Sequence, residues 1–134
     1  MNNFSEEEYK AIVEDLKRDS ENSLLCELCG LVGVSKKNGK LIYQIMKNRA
    51  RTPEDFFMID PYDYLSFVEK NELVLIFHSH LLGDELPSDF DIKTSENCCY
   101  PFLIYSICTE KFCIYEPQYK NYDVNILEGI RRSI

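Results

Sequence analysis

The sequence predicts an α+β fold in which a mixed, mostly antiparallel sheet is flanked by helices. Three observations carry that expectation. The chain opens on apolar residues at helical spacing. The run "LVLIF" (Leu73–Phe77) is apolar on both faces, as a buried central strand requires. Between and beyond these, short strand-like runs alternate with helix-like ones in the order α-β-β-β-α-β-α-β-β. The 134 residues carry no repeat, low-complexity tract or linker, so residues 1–134 read as one domain. Apolar residues make up 45% of the chain, with nine Tyr and eight Phe, enough for a substantial core and too many for a disordered chain.

Each element follows from local pattern. From Ser5 to about Arg18, Tyr9, Ile12, Val13 and Leu16 obey the i, i+3, i+4, i+7 rule, and Ser5 with Glu8 makes a capping box. After the polar joint "RDSENS", "ELCGLVGV" (Glu27–Val34) reads as a strand. A turn at Asn38-Gly39 and an antiparallel partner, Leu41–Asn48, follow it. A loop leads to a short strand at Phe56–Ile59. Pro61 then opens a helix whose apolar stripe is Tyr64, Leu65 and Val68. Ser88 opens a further helix, "SDFDIKTSENC". "FLIYSICT" and "KFCIYEP" are two more strands, and "VNILEGIRR" is a last short helix or strand.

Charge and composition exclude several functions. A net charge of −8 and a pI near 4.8 argue against a nucleic-acid backbone or an anionic membrane as partner. No apolar run approaches the roughly 20 residues needed to span a bilayer, and "MNNFSEEEYK" is unlike a signal peptide. A cytoplasmic location is therefore expected. In a reducing compartment the six Cys are expected to be thiols. "CELC" (Cys26, Cys29) sends its thiols to opposite faces of a strand, so it makes a poor zinc clasp. Cys98 and Cys99 are expected to be buried free thiols, and Cys108 and Cys113 core residues of apolar strands.

The chain has only two histidines, and "FHSHLLGDELPSDFD" (Phe77–Asp91) holds both at spacing two. On a strand that spacing puts His78 and His80 on one face, about 6.5–7 Å apart at the backbone. Two imidazoles there can converge on one ion, and zinc accepts such nitrogens together with a carboxylate oxygen. Asp84, Glu85, Asp89 and Asp91 are all available as the third ligand. Ser88 and Asp91 also form a capping pair, S-x-x-D, whose side chains point back toward the histidines.

The whole spacing is H-x-H, seven residues, S, two residues, D. It resembles the signature of the JAB/MPN (JAMM) zinc metalloprotease family, and "ELCGLVG" resembles that family's E-x-C-G segment. "NRARTPEDFFMIDPYDYLSF" looks most like its bacterial and phage branch. The resemblance runs from about Glu27 to Ile114. It departs at Leu81, where many relatives have Pro. It implies an MPN (JAB) fold and one zinc per chain, held by His78, His80 and Asp91. Glu27 would be the general base, and Ser88 would donate to the oxyanion. Leu24, Leu25, Cys26 and Leu28 would give Glu27 an apolar setting that raises its pKa.

Members of the family cut peptide or isopeptide bonds, most often after the flexible tail of a ubiquitin-like protein. The resemblance thus implies a zinc isopeptidase acting on a ubiquitin-like protein or its conjugates. Alternatives are a phage-tail-type peptidase, a peptidase that processes a sulfur carrier, and a metal-free MPN scaffold. Phage-tail domains are typically followed by a cell-wall hydrolase, and none follows here. Metal-free relatives usually lack a ligand, whereas this chain keeps all of them. The phenylalanines of "DFFMIDPYDYLSF" are expected to pack in the core and along its edges, and some tyrosines to line the substrate groove.

Overall fold

A computed structural model describes residues 3–134. Its elements are α1 (Glu6–Glu21), β1 (Cys29–Ser35), β2 (Leu41–Met46), α2 (Pro61–Lys70), β3 (Asn71–His80), α3 (Asp89–Cys98), β4 (Phe102–Ser106), β5 (Phe112–Tyr115) and α4 (Val124–Arg131). The strands form one sheet in the order β2-β1-β3-β4-β5. Every pairing is antiparallel except β3 with β4. That parallel pair needs a crossover, and α3 supplies it. The architecture is the expected α+β one.

Two apolar clusters cover the two faces of the sheet, which is why β1 and β3 are buried along most of their length. On one face α1 and α4 bring Ile12, Val13, Leu16, Ile126 and Ile130 onto Val32, Leu75, Phe77 and Leu103. On the other, Phe67 of α2 and Phe57 pack on Leu31, Ile76, Phe102 and Ile104. Leu75 pairs with Val32 and Leu73 with Gly33, so Val74 is the extra residue of a bulge. At that bulge a Cβ on Gly33 would lie 2.4 Å from the Glu72 carbonyl, so only glycine fits. Ser5 caps α1 with the expected capping box, and Gly39 takes the left-handed conformation in the β1–β2 turn.

Four expectations need correction. Phe56–Ile59 is no strand, because its backbone is satisfied elsewhere. The Asn48 side chain accepts from the Met58 N–H and donates to the Phe56 carbonyl, and the Arg49 N–H donates to the Met58 carbonyl. In α2 the buried position is Phe67, while Leu65 lies 54% exposed. The inward stripe is Tyr64, Phe67 and Val68, and Leu65 falls one step around the helix. Of the cysteines only Cys29 is buried; Cys98 and Cys108 are exposed, and Cys26, Cys99 and Cys113 are half-buried. The cause for Cys108 is that β4 stops at Ser106, whose amide pairs with the Lys111 carbonyl in a turn. Finally, Glu27 precedes β1 instead of lying on it, and Leu24 and Leu25 face water. The tail segment, open between helix and strand, is the helix α4.

Candidate metal centre

The site sits where β3 ends and α3 begins. His78 and His80 share a face at the end of β3, as the period of a strand dictates, and their Nε2 atoms lie 3.3 Å apart. Asp91 occupies the first turn of α3. Ser88 caps that helix: its Oγ accepts the Asp91 N–H at 3.1 Å, and the Asp91 carboxylate accepts the Ser88 N–H at 3.0 Å. This capping box turns the Asp91 carboxylate toward the histidines. Its two oxygens lie 3.1 Å from His78 Nε2 and 3.0 Å from His80 Nε2. One ligand atom from each of His78, His80 and Asp91 falls within 4.8 Å of the others. None of the other carboxylates open to the sequence argument joins the donor set. Asp84 offers His80 its backbone carbonyl, Glu85 accepts from Thr109, and Asp89 is exposed in the first turn of α3.

The environment of each group follows from its neighbours. His78 is fully buried between Phe57, stacked at 4.4 Å, and the edge-on Phe102. Burial lowers its pKa and keeps the imidazole neutral. Its Nδ1 is buried without a partner among the described residues. His80 also feels burial, but hydrogen bonding to Asp91 and to the Asp84 carbonyl outweighs it, so its pKa is raised. Burial works against the Asp91 carboxylate as well. The hydrogen bonds from both histidines outweigh it and hold Asp91 well below the usual range.

This donor set suits zinc. Two imidazole nitrogens and one carboxylate oxygen make three protein ligands, the number that leaves one tetrahedral position open. The contact of His80 Nδ1 with the Asp84 carbonyl, 2.8 Å away, leaves Nε2 facing the other two donors.

Glu27 lies in the same cleft of about 330 Å³ as His80, Ser88 and Asp91. It is only 6% exposed, and its pKa is pushed up to about 8. Burial is the main cause; Asp91 and Asp55 add to it and His80 opposes it. Backbone contacts fix its place. Its N–H donates to the Pro53 carbonyl at 2.7 Å, and its carbonyl accepts from Asn48 Nδ2 at 2.9 Å. The next residue, Leu28, donates its N–H to Ser79 Oγ and accepts the Ser79 N–H, so the segment is stitched to β3 between the two histidines. The carboxyl therefore sits beside the donor set although 51 residues separate Glu27 from His78.

Sequence reasoning missed Asn48, Phe57, Asp55 and Ser79. Asn48 alone makes five contacts, to the carbonyls of Glu27, Pro53 and Phe56 and to the amides of Ala50 and Met58. A loop asparagine carries no local signal for that role. The tyrosines expected beside the groove are not there: the cleft is lined by Leu82, Leu86, Pro87 and acidic groups, without a tyrosine.

Fold and site together define a class: an α+β domain whose central strand and following helix bring three zinc-type donors together at the edge of an open cleft. The chain belongs to the family of prokaryotic homologues of the JAB domain, whose family model matches residues 5–118. A structure of a Desulfitobacterium hafniense protein is similar over 84% of this chain and 91% of that one, with 19% identity and a TM-score of 0.61. A Salinibacter ruber protein is similar over 83% and 89%, with 14% identity and a TM-score of 0.50. Both speak for the fold alone. No curated protein matches the chain. Among the described residues, no helix is long and apolar enough to cross a membrane.

Proposed function

We propose that this chain is a zinc-dependent peptidase that cuts the peptide or isopeptide bond after the C-terminal tail of a ubiquitin-like protein. The observation that carries the peptidase reading is the presence of two unlike groups side by side. One is the convergent donor set of His78, His80 and Asp91, of which His80 and Asp91 line the cleft; the other is a buried carboxyl in that cleft, Glu27, poised near neutral pH. A zinc ion held by His78, His80 and Asp91 would supply a water acidified to a pKa of about 7 and would polarise the substrate carbonyl. His78, neutral, and Asp91, ionised, are in the protonation states of ligands. Glu27 takes a proton from the attacking water and passes it to the leaving amine, the work of a carboxyl tuned toward neutrality. Ser88 Oγ is occupied as an acceptor by the Asp91 amide, which leaves its hydroxyl hydrogen free to donate to an oxyanion.

The ubiquitin-like substrate rests on the resemblance in sequence. An extended tail with small terminal residues suits a cleft walled by β3, α3 and the 81–87 loop. The test is a fusion joining a ubiquitin-like protein through its tail to a reporter, incubated with zinc-loaded protein. Cutting at the junction, blocked when the terminal glycine is replaced by a bulky residue, is the expected result. Turnover of purified cell-wall peptides with the fusion left intact would overturn the substrate and favour a phage-tail type of peptidase.

A further inference from the structure

A cavity of about 400 Å³ opens at the start of β3, the end of that strand remote from the metal donors. It forms because β4 pairs with β3 only from Ile76 onward, so residues 71–75 have no strand on that side. Asn71 lies seven residues before His78, roughly 23 Å at ~3.3 Å per residue, and the cavity shares no lining residue with the metal cleft. Its volume falls within the ~300–1,000 Å³ of ligand sites. Val34, Val74 and Ile126 line it with apolar surface continuous with the core, and Tyr100 and Tyr122, ring centroids 6.5 Å apart, add aromatic surface. Its polar groups are mainly acceptors without a donor. Asn71 is only 7% exposed; its Nδ2 donates to the Phe67 carbonyl at 2.9 Å, and its Oδ1 accepts nothing among the described residues. Among these residues the unpartnered polar side-chain atom that is fully enclosed is His78 Nδ1, so Asn71 Oδ1 has open space beside it, in the cavity that Asn71 lines. Asp123 Oδ1 accepts the Asn125 and Ile126 amides as the cap of α4, which leaves Oδ2 unpaired. The Glu72 carboxylate makes no hydrogen bond or ion pair among the described residues. Lys36, the cation on this lining, is turned to the Val68 carbonyl, 3.1 Å away.

We propose that this cavity binds an organic ammonium, a site independent of the peptidase reading. The charged head donates to Asn71 Oδ1 and is held by Glu72 and Asp123, while an aliphatic stem lies on the valines and tyrosines. Charge favours such a ligand: two carboxylates face one lysine on this lining, within a chain of net charge −8. Donor count favours it too, since an ammonium brings three donors and no acceptor to groups that lack donors. An anion is a poor occupant, because two of the α4 amides that would receive it are already taken by Asp123. The tyrosine rings add a preference for a cation over a neutral molecule of the same shape. A free alkylamine and the lysine side chain of a peptide present this same chemistry.

The test is a titration of the full chain with n-butylammonium at low salt, followed through its backbone amide NMR signals. Saturating shifts should fall on residues 71–75 and 121–126, with a Kd on the order of 1 mM for so small a probe. The isosteric n-butanol, and butanoate, should each bind about tenfold or more weakly, the scale of losing a charge-assisted hydrogen bond. The double variant Glu72→Gln, Asp123→Asn should weaken n-butylammonium about tenfold. It should not lower the melting temperature, because asparagine caps a helix as well as aspartate does. A lysine with both ends blocked as amides separates the sources. Affinity about tenfold above that of n-butylammonium would assign the site to a peptide lysine, and equal or lower affinity to a free amine. Equal binding of n-butanol, undiminished binding by a folded double variant, or shifts confined to the metal cleft would each overturn the site.

Discussion

Replacing Glu27 by glutamine separates the chemistry of the site from its stability. The wild-type carboxyl has its pKa pushed from 4.5 up to about 8. The folded chain therefore holds a proton that the unfolded chain has lost between those values, and stability falls as pH rises through that window. Below about pH 4.5 both states are protonated and there is no penalty; above about pH 8 the loss levels off. At 1.36 kcal/mol per pKa unit, the part of this loss between pH 6 and pH 9 is about 3 kcal/mol. Glutamine cannot ionise. In metal-free protein, E27Q should thus gain about 3 kcal/mol relative to wild type across that range, or roughly 10 °C in melting temperature. Urea denaturation of both chains from pH 6 to pH 9 measures the difference directly. With zinc restored, E27Q should keep one equivalent of metal and lose about 10²–10⁴-fold in turnover, the usual contribution of a general base. Parallel pH–stability curves for the two chains would refute a buried, protonated Glu27. Loss of zinc from E27Q would refute the separation of base from ligands.

The remaining expectations concern single residues. His80→Ala should remove most of the bound zinc, measured by metal analysis of purified protein, and a full equivalent retained would contradict its role as a ligand. Ser88→Ala should slow turnover by about 10²–10³-fold, the cost of one oxyanion donor, whereas an unchanged rate would reduce Ser88 to a helix cap. Asn48→Ala removes five hydrogen bonds of 2.8–3.2 Å and should cost roughly 2–4 kcal/mol in urea denaturation. An unmoved midpoint would show that the 47–60 loop holds itself. Gly129→Ala puts a Cβ 2.2 Å from the Tyr9 ring where α1 meets α4, and should cost about 1–3 kcal/mol by overpacking. A melting temperature equal to wild type would mean that the helices shift apart freely.

What could be read from the sequence was whatever repeats with a local period. The helical stripe of α1, the two-faced run of β3 and the Asn38-Gly39 turn each announce themselves over a few residues, and all three are in the structure. The two histidines were legible for the same reason, because H-x-H is short-range geometry on a strand; among four nearby carboxylates, only the family resemblance singled out Asp91, which the structure brings to them. Readings failed where a contact spans distance. The 56–59 segment has strand composition, yet Asn48 takes its hydrogen bonds. Cys108 lies in an apolar run, but the strand stops two residues earlier. Leu24 and Leu25 looked like the walls around Glu27, whereas its burial comes from how the chain ahead of β1 is tied to Pro53, Asn48 and Ser79. Periodicity has no access to such ties.

The tethering of Glu27 has a consequence for how this site can change over evolutionary time. All three metal donors lie within fourteen consecutive residues, His78 to Asp91, on a strand and helix that the core would form in any case. The carboxyl that would act on a water belongs to a distant segment without regular structure, pinned through the side chain of one asparagine and one serine. On the proposed reading, the residues that would hold the metal and the carboxyl that would drive hydrolysis are thus inherited through separate parts. A descendant that lost Asn48 would keep its donors and its groove while its base drifted out of reach.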